Sequence, residues 1–193
     1  MLINKPIKLF SFAGFLLATI LFSFTEARAL QLLDLQDNRV DPLKTEAKAT
    51  VFFFIRSDCP ISNRYAPELQ RLNEKFAPQK IKFWLVYLDT DEPVTTLREH
   101  LKAYAYTVEA IRDPEHQLVK LTRARVTPEV AVFVSGKRIV YRGRIDDRFV
   151  ALGKMRPAPT THDLEQVLQA IVTGKPIKNR STTAVGCFIS DLR

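Results

Sequence analysis

Thr50-Val51-Phe52-Phe53-Phe54-Ile55-Arg56-Ser57-Asp58-Cys59-Pro60-Ile61-Ser62 changes character twice. Its first six residues are an unbroken β-branched and aromatic run, the pattern of a strand buried on both faces. Arg56, Ser57 and Asp58 end that run, and Cys59-Pro60 follows. Proline suits an early helical position, where its missing N–H would have no partner in any case. Beyond it Tyr65, Leu69, Leu72 and Phe76 recur at spacings of three and four, which predicts a helix over residues 61–76 with one buried face. A buried strand therefore runs into a helix, and a cysteine stands at the junction.

Working outward, residues 81–88 read as a second buried strand that ends at Asp89. A helix over 95–104 carries Leu97, Leu101 and Tyr104 on one side, then a short strand at 108–111 and a helical turn at 116–121 follow. Val126-Thr127-Pro128 precedes two strand runs, 129–134 and 138–143, joined by Ser135-Gly136-Lys137 as a hairpin. Residues 149–160 form a proline-containing loop. A last helix over 161–173 takes Thr161 as N-cap and is stopped by Gly174-Lys175-Pro176. Upstream, residues 31–35 read as an edge strand and 37–49 as a polar turn region. There is no internal repeat and no low-complexity block. Strands alternating with helices require a parallel crossover, and the closing hairpin adds antiparallel neighbours. The expected class is α/β: a mixed sheet sandwiched by helices, with a C-terminal hairpin and helix.

The 193 residues give room for one domain with additions. Lys5 and Lys8, then an uncharged apolar stretch over 9–24, then Glu26-Ala27-Arg28-Ala29 follow the order of a secretory signal with a small-residue cleavage site. The expected organisation is a signal peptide at 1–29, a folded domain at 30–176 and a tail at 177–193 that carries Cys187. An uncleaved membrane anchor is the alternative, although the stretch falls short of the roughly 20 apolar residues of a bilayer span. Either way the domain is expected outside the cytoplasm, periplasmic or extracellular, where disulfides persist. The net charge of +8 is spread along the chain without a basic run or nucleic-acid motif, so no nucleic-acid partner is expected. Two cysteines, Cys59 and Cys187, are too few for a disulfide scaffold.

A cysteine in the first turn of a helix sees unpaired N–H groups and the positive end of the helix dipole, and both favour thiolate, the nucleophilic form. Arg56 adds positive charge nearby and Asp58 opposes it. Ser62 can donate a hydrogen bond to sulfur. A buried, inert cysteine is the plainer reading of the same position. His100, His116 and His162 are scattered on helical or helix-flanking surfaces without metal-ligand spacing, so no resident metal or other cofactor is expected. The cluster Arg142-Gly143-Arg144-Ile145-Asp146-Asp147-Arg148 reads as a solvated, self-neutralising loop. No phosphate-binding glycine loop and no Gly-x-Ser-x-Gly occurs.

The strand, Asp58-Cys59-Pro60-Ile61-Ser62, Thr127-Pro128 before the hairpin, and the terminal helix in that order resemble the thioredoxin fold, in its redoxin branch with the alkyl hydroperoxide reductase/thiol-specific antioxidant relatives. The resemblance covers residues 31–174. It implies a cis proline at Pro128 beside the reactive cysteine, with the Thr127 backbone open to an extended substrate. The family's Cys-x-x-Cys is broken here, because Ser62 stands in place of the second cysteine. Arg56 occupies the position of the peroxidatic threonine, and Asn63 that of the last cysteine in copper-delivering relatives.

Three readings follow. The first is an exported thiol–disulfide oxidoreductase acting on protein thiols and disulfides, with Cys59 as nucleophile, resolved by Cys187 or by an external reductant. The second is a thiol peroxidase, an antioxidant enzyme with peroxide as substrate. The third is a non-enzymatic binding or copper-carrying module, with Cys59 and a histidine as the version of the metal site to consider. In all of them Arg56, Ser62, Thr127 and Pro128 support the site. Cys187 lies in Ala184-Val185-Gly186-Cys187-Phe188-Ile189, an apolar island that would bring the tail back onto the domain.

Overall fold

The computed structural model describes residues 30, 32–89, 91–134 and 138–189. The expected signal segment, Gln31 and the hairpin turn at 135–137 lie outside them. No helix among the described residues is long and apolar enough to cross a membrane.

In chain order the elements are β1 (Leu32–Asp34), β2 (Arg39–Val40), β3 (Ala49–Ile55), α1 (Pro60–Arg64), α2 (Ala66–Phe76), β4 (Ile81–Tyr87), α3 (Val94–Ala103), β5 (Ala110–Arg112), α4 (Gln117–Thr122), β6 (Val126–Thr127), β7 (Glu129–Val134), β8 (Arg138–Gly143), β9 (Phe149–Ala151), β10 (Lys154–Met155), α5 (Asp163–Thr173) and β11 (Cys187–Phe188). Seven of the strands form one sheet in the order β2-β1-β5-β4-β3-β7-β8. β3 runs parallel to β4 and antiparallel to β7, so it is central and its whole length is buried.

Alternation along β3 divides the interior into two layers. Val51, Phe53 and Ile55 pack with Leu69, Leu72 and Phe76 of α2, Leu97 of α3, and Leu164 and Leu168 of α5. Phe52 and Phe54 face the other way, toward Leu118 and Val119 of α4 and the distant Ile189. Each fully buried aromatic or aliphatic side chain contributes about 1.5–3 kcal/mol of apolar transfer free energy, so these layers are the main stabilising term.

Several boundaries differ from expectation for visible reasons. The helix expected over 61–76 is two helices, because Pro67 has no N–H for the Asn63 carbonyl and its ring crowds that turn. Tyr65 caps the first piece, donating its N–H to Ser62 O at 3.0 Å. β1 is not an edge strand: β2, inside the expected turn region, covers its outer side. The proline-containing loop holds the small β9–β10 hairpin. The N-cap of α5 is His162 rather than Thr161, whose N–H is bound to the Asp147 carboxylate at 2.9 Å. Gly174 does end α5, in the left-handed region at φ 68°.

The Arg142–Arg148 cluster is not a solvated loop. Ile145, Asp146 and Asp147 are buried. Tyr65 Oη donates to Asp146 at 2.5 Å, and Arg144 pairs with Asp163 at 2.7 Å. Thr160 and Thr161 give Asp147 three more hydrogen bonds, which hold its carboxyl far below the usual range. Neutralised acids of this kind can be buried without a large desolvation penalty.

Candidate functional site

Cys59 is the N-cap of α1, with Pro60 in the first turn as expected. It is not accessible, however: only 1% of its surface is exposed. Two neighbours close over it. One is the Thr127 carbonyl, which accepts the Cys59 S–H at 3.1 Å; the Thr127–Pro128 peptide bond is cis. The other is Cys187, whose thiol is within hydrogen-bonding reach of the Cys59 sulfur; both cysteines are free thiols.

The tail reaches this point by a continuous set of contacts. Arg142 and Arg180 share a 3.1 Å backbone hydrogen bond, and the Thr182 N–H returns one of the same length to Arg142 O. Thr182 Oγ1 also bonds the Tyr141 hydroxyl at 2.7 Å and accepts the Arg144 N–H at 3.0 Å. Gly186 then crosses the Thr127–Pro128 peptide so closely that a Cβ there would lie 2.2 Å from Thr127 O. β11 pairs antiparallel with β6, Cys187 opposite Thr127 and Phe188 opposite Val126. Ile189 donates its N–H to Arg125 O at 3.0 Å and buries its side chain in the second layer of the core.

The electrostatics separate the two thiols. Burial pushes the Cys59 thiol up, but hydrogen bonds from Cys187, from the side chain and backbone of Ser62, and from Thr127 outweigh it, so the thiol lies below its ordinary value. The Ser62 and Thr127 hydroxyls are buried beside the site and have no hydrogen-bond partner in its resting form, so they can turn to a Cys59 thiolate when it forms. Burial and the adjacent Cys59 sulfur push Cys187 up to about 11. Deprotonation therefore begins at Cys59, and Cys187 donates its proton as a hydrogen bond. Arg56 is spent elsewhere: it forks onto Asp58 at 3.0 and 2.9 Å, and its field falls on Cys187, which it lowers.

Behind Cys59 lies a hydrogen-bond relay that the sequence did not announce. Tyr87 Oη and His100 Nδ1 are 2.7 Å apart, His100 Nε2 and Asn63 Oδ1 2.8 Å, and Asn63 Nδ2 donates to Ser57 O at 2.8 Å. It braces the 57–63 turn against α3. His100 and His116 are buried, not on the surface as expected. Burial keeps His100 below its ordinary value, so it is neutral, with its Nε2 proton on Asn63 and Nδ1 accepting from Tyr87. Among the described residues no group of three metal-ligating side chains includes Cys59; in the group that exists, Glu68, His162 and Glu165, both carboxylates are already paired with Arg71 or Lys75.

Residues 24–144 match the AhpC/TSA family. The chain belongs to that family. Among solved structures, a hypothetical protein from Sinorhizobium meliloti 1021 is similar at 23% identity with a TM-score of 0.71, covering 83% of this chain and 89% of its own. An uncharacterised conserved protein from Geobacillus kaustophilus is similar at 24% identity, TM-score 0.69, over 83% and 87%. A secreted Mycobacterium tuberculosis disulfide oxidoreductase homologous to E. coli DsbE is similar at 14% identity, TM-score 0.51, over 75% and 95%. These likenesses establish the thioredoxin-like fold of this AhpC/TSA member. Among curated proteins, none matches it.

Proposed function

We propose that this AhpC/TSA protein is an exported thiol–disulfide oxidoreductase that works by a Cys59–Cys187 cycle. The observation that carries the reading is the approach of two free thiols, Cys59 at the start of α1 and Cys187 on β11 opposite Thr127, one pushed down and the other pushed up. The Cys59 thiolate attacks one sulfur of a substrate disulfide. An S–S bond forms to Cys59, and the second substrate sulfur leaves as a thiolate that takes a proton from solvent. Cys59 then carries no charge, so the sulfur charge that raised Cys187 is gone and Cys187 ionises more readily. Its thiolate attacks the Cys59 sulfur, closing Cys59–Cys187 and expelling the reduced substrate. Two electrons have passed from the dithiol to the substrate, and a dithiol reductant regenerates the enzyme. Because Cys187 stays protonated until Cys59 has reacted, the second step follows the first in order.

Cys59→Ser should abolish reduction of insulin and of a small model disulfide, whereas Cys187→Ser should trap a Cys59–substrate mixed disulfide visible by mass spectrometry. Full activity in Cys59→Ser would overturn the reading. The burial of Cys59 beneath the tail favours one second reading, a thiol peroxidase, since a hydroperoxide is small enough to enter where a protein is not. That reading requires a Cys59 sulfenate, which dimedone would trap within one turnover of peroxide.

The order Lys5, Lys8, apolar stretch and Ala27-x-Ala29 supports export of the domain, and N-terminal sequencing of the secreted protein checks it.

A further inference from the structure

An antiparallel strand on the backbone just before Pro128 is where this chain holds its own residues 187 and 188. The details of that fit describe a ligand. At the position before the cysteine there is no room for a Cβ, so only glycine passes over the Thr127–Pro128 peptide. At the cysteine, the sulfur meets Cys59. The next side chain, Phe188, is 73% exposed and contributes nothing to the fit. The one after it, Ile189, is 8% exposed and sits in an apolar socket of the second core layer. The pairing itself is only two residues long, and so short a ladder holds weakly on its own.

Taking the β6 backbone edge as the place the resemblance implies for an extended substrate, we infer that residues 181–189 are a tethered competitor in it, and that its partners are proteins presenting an extended Gly-Cys-x-aliphatic segment, which reach Cys59 by displacing the tail. This rests on the thiol–disulfide reading for its chemistry but not for its binding. A tethered competitor acts at an effective concentration in the millimolar range, so it suppresses a free peptide of equal intrinsic affinity by far more than tenfold at micromolar protein. A partner must therefore match the tail's pattern and add contacts of its own.

The test uses the full chain and a fluorescent peptide of residues 181–189 carrying Cys187→Ser, with fluorescence anisotropy as readout. In the protein, Gly186→Val forces the tail off Thr127, and Ile189→Asp removes its anchor independently, so loss of one variant to misfolding leaves the other. Both variants should bind the peptide at least about tenfold more tightly than the wild-type chain, which carries its own competitor. Peptides with Gly186→Val or Ile189→Asp should lose that binding. Equal binding by wild-type and variant chains, no binding by any, or indifference to the peptide's glycine would each overturn the inference. A parallel measurement follows release of thionitrobenzoate from its mixed disulfides with the cysteine-containing peptide and with a small thiol. If the peptide binds but Cys59 attacks neither disulfide, the tail's role as competitor stands and the thiol chemistry falls. If Cys59 attacks both at rates the tail variants leave unchanged, the chemistry stands and the competitor role falls.

Discussion

Replacing Ser62 by alanine deletes one fully buried hydroxyl that has no hydrogen-bond partner in the resting site and that helps to lower the Cys59 thiol. A hydrogen bond to a charged group contributes about 1.5–3 kcal/mol, and one pH unit corresponds to about 1.4 kcal/mol. Three other groups share the work here: Cys187, the Thr127 hydroxyl and the Ser62 backbone N–H, all of which the variant keeps. The lower end of the range therefore applies, and the Cys59 thiol should rise by about one pH unit. The assay is the pH dependence of iodoacetamide alkylation at Cys59, read by mass spectrometry of the reduced protein. Below the thiol's midpoint the alkylation rate should drop about tenfold in the variant. Stability should not fall, because alanine removes a buried hydroxyl that has no partner while the thiol is protonated. In the folded protein the thiol is depressed, so its contribution to stability is present above the ordinary thiol range and lost as pH falls through the folded midpoint. The variant should narrow that window from below. An unchanged alkylation profile with an intact fold would refute the assignment of the hydroxyl to the sulfur.

Cys187 carries the opposite sign. Its raised thiol contributes stability below the ordinary thiol range that is lost as pH rises through about 11, and Cys59→Ala should bring its alkylation midpoint down toward the ordinary value. Glu129→Ala orphans the Arg125 and Val126 N–H groups that its carboxylate accepts at 2.8 and 3.4 Å, and loses its partner Arg142; about 2–4 kcal/mol should disappear from a denaturant titration. Phe53→Ala leaves a cavity in the first core layer, where the ring stacks on Phe83 at 5.9 Å, and should cost about 3–5 kcal/mol by the same titration.

What could be read in advance follows from how local each signal is. β3 and β4 are continuous apolar runs because both of their faces are covered, and that cause leaves its mark within seven residues. The short pieces, β2 and the β9–β10 pair, are two or three residues long and exist only because a partner lies alongside, so no periodicity marks them. The break before α2 was missed by following the apolar spacing alone, although Pro67 carries the signal for it, since its consequence for the Asn63 carbonyl is fixed by its chemistry. Thr127-Pro128 was placed by its position before the hairpin, and the cis bond is there. Burial of Cys59 was not legible, because the groups that cover it come from β6 and from a tail far along the chain. The apolar island around Cys187 hinted that the tail docks; where it docks depends on a carbonyl that no sequence pattern locates. Arg56 was expected to act on Cys59, but Asp58, two residues on, has the geometry to claim its guanidinium first. Asn63 and His100 gave no sign of their relay, since polar residues on amphipathic helices ordinarily face water.

A bond between Cys59 and Cys187 would also change the thermodynamics of the whole chain. It would close a loop that contains the strands β4 to β10 and the helices α1 to α5. In the chain-entropy account, cross-linking a loop of more than a hundred residues removes about 4–5 kcal/mol of freedom from the unfolded state. Linkage makes that quantity run in both directions: oxidation stabilises the fold, and the fold stabilises the oxidised pair to the same extent. Partial unfolding would then make the bond easier to reduce, so a reductant that first loosens the domain gains a thermodynamic advantage over one that reaches only the sulfur.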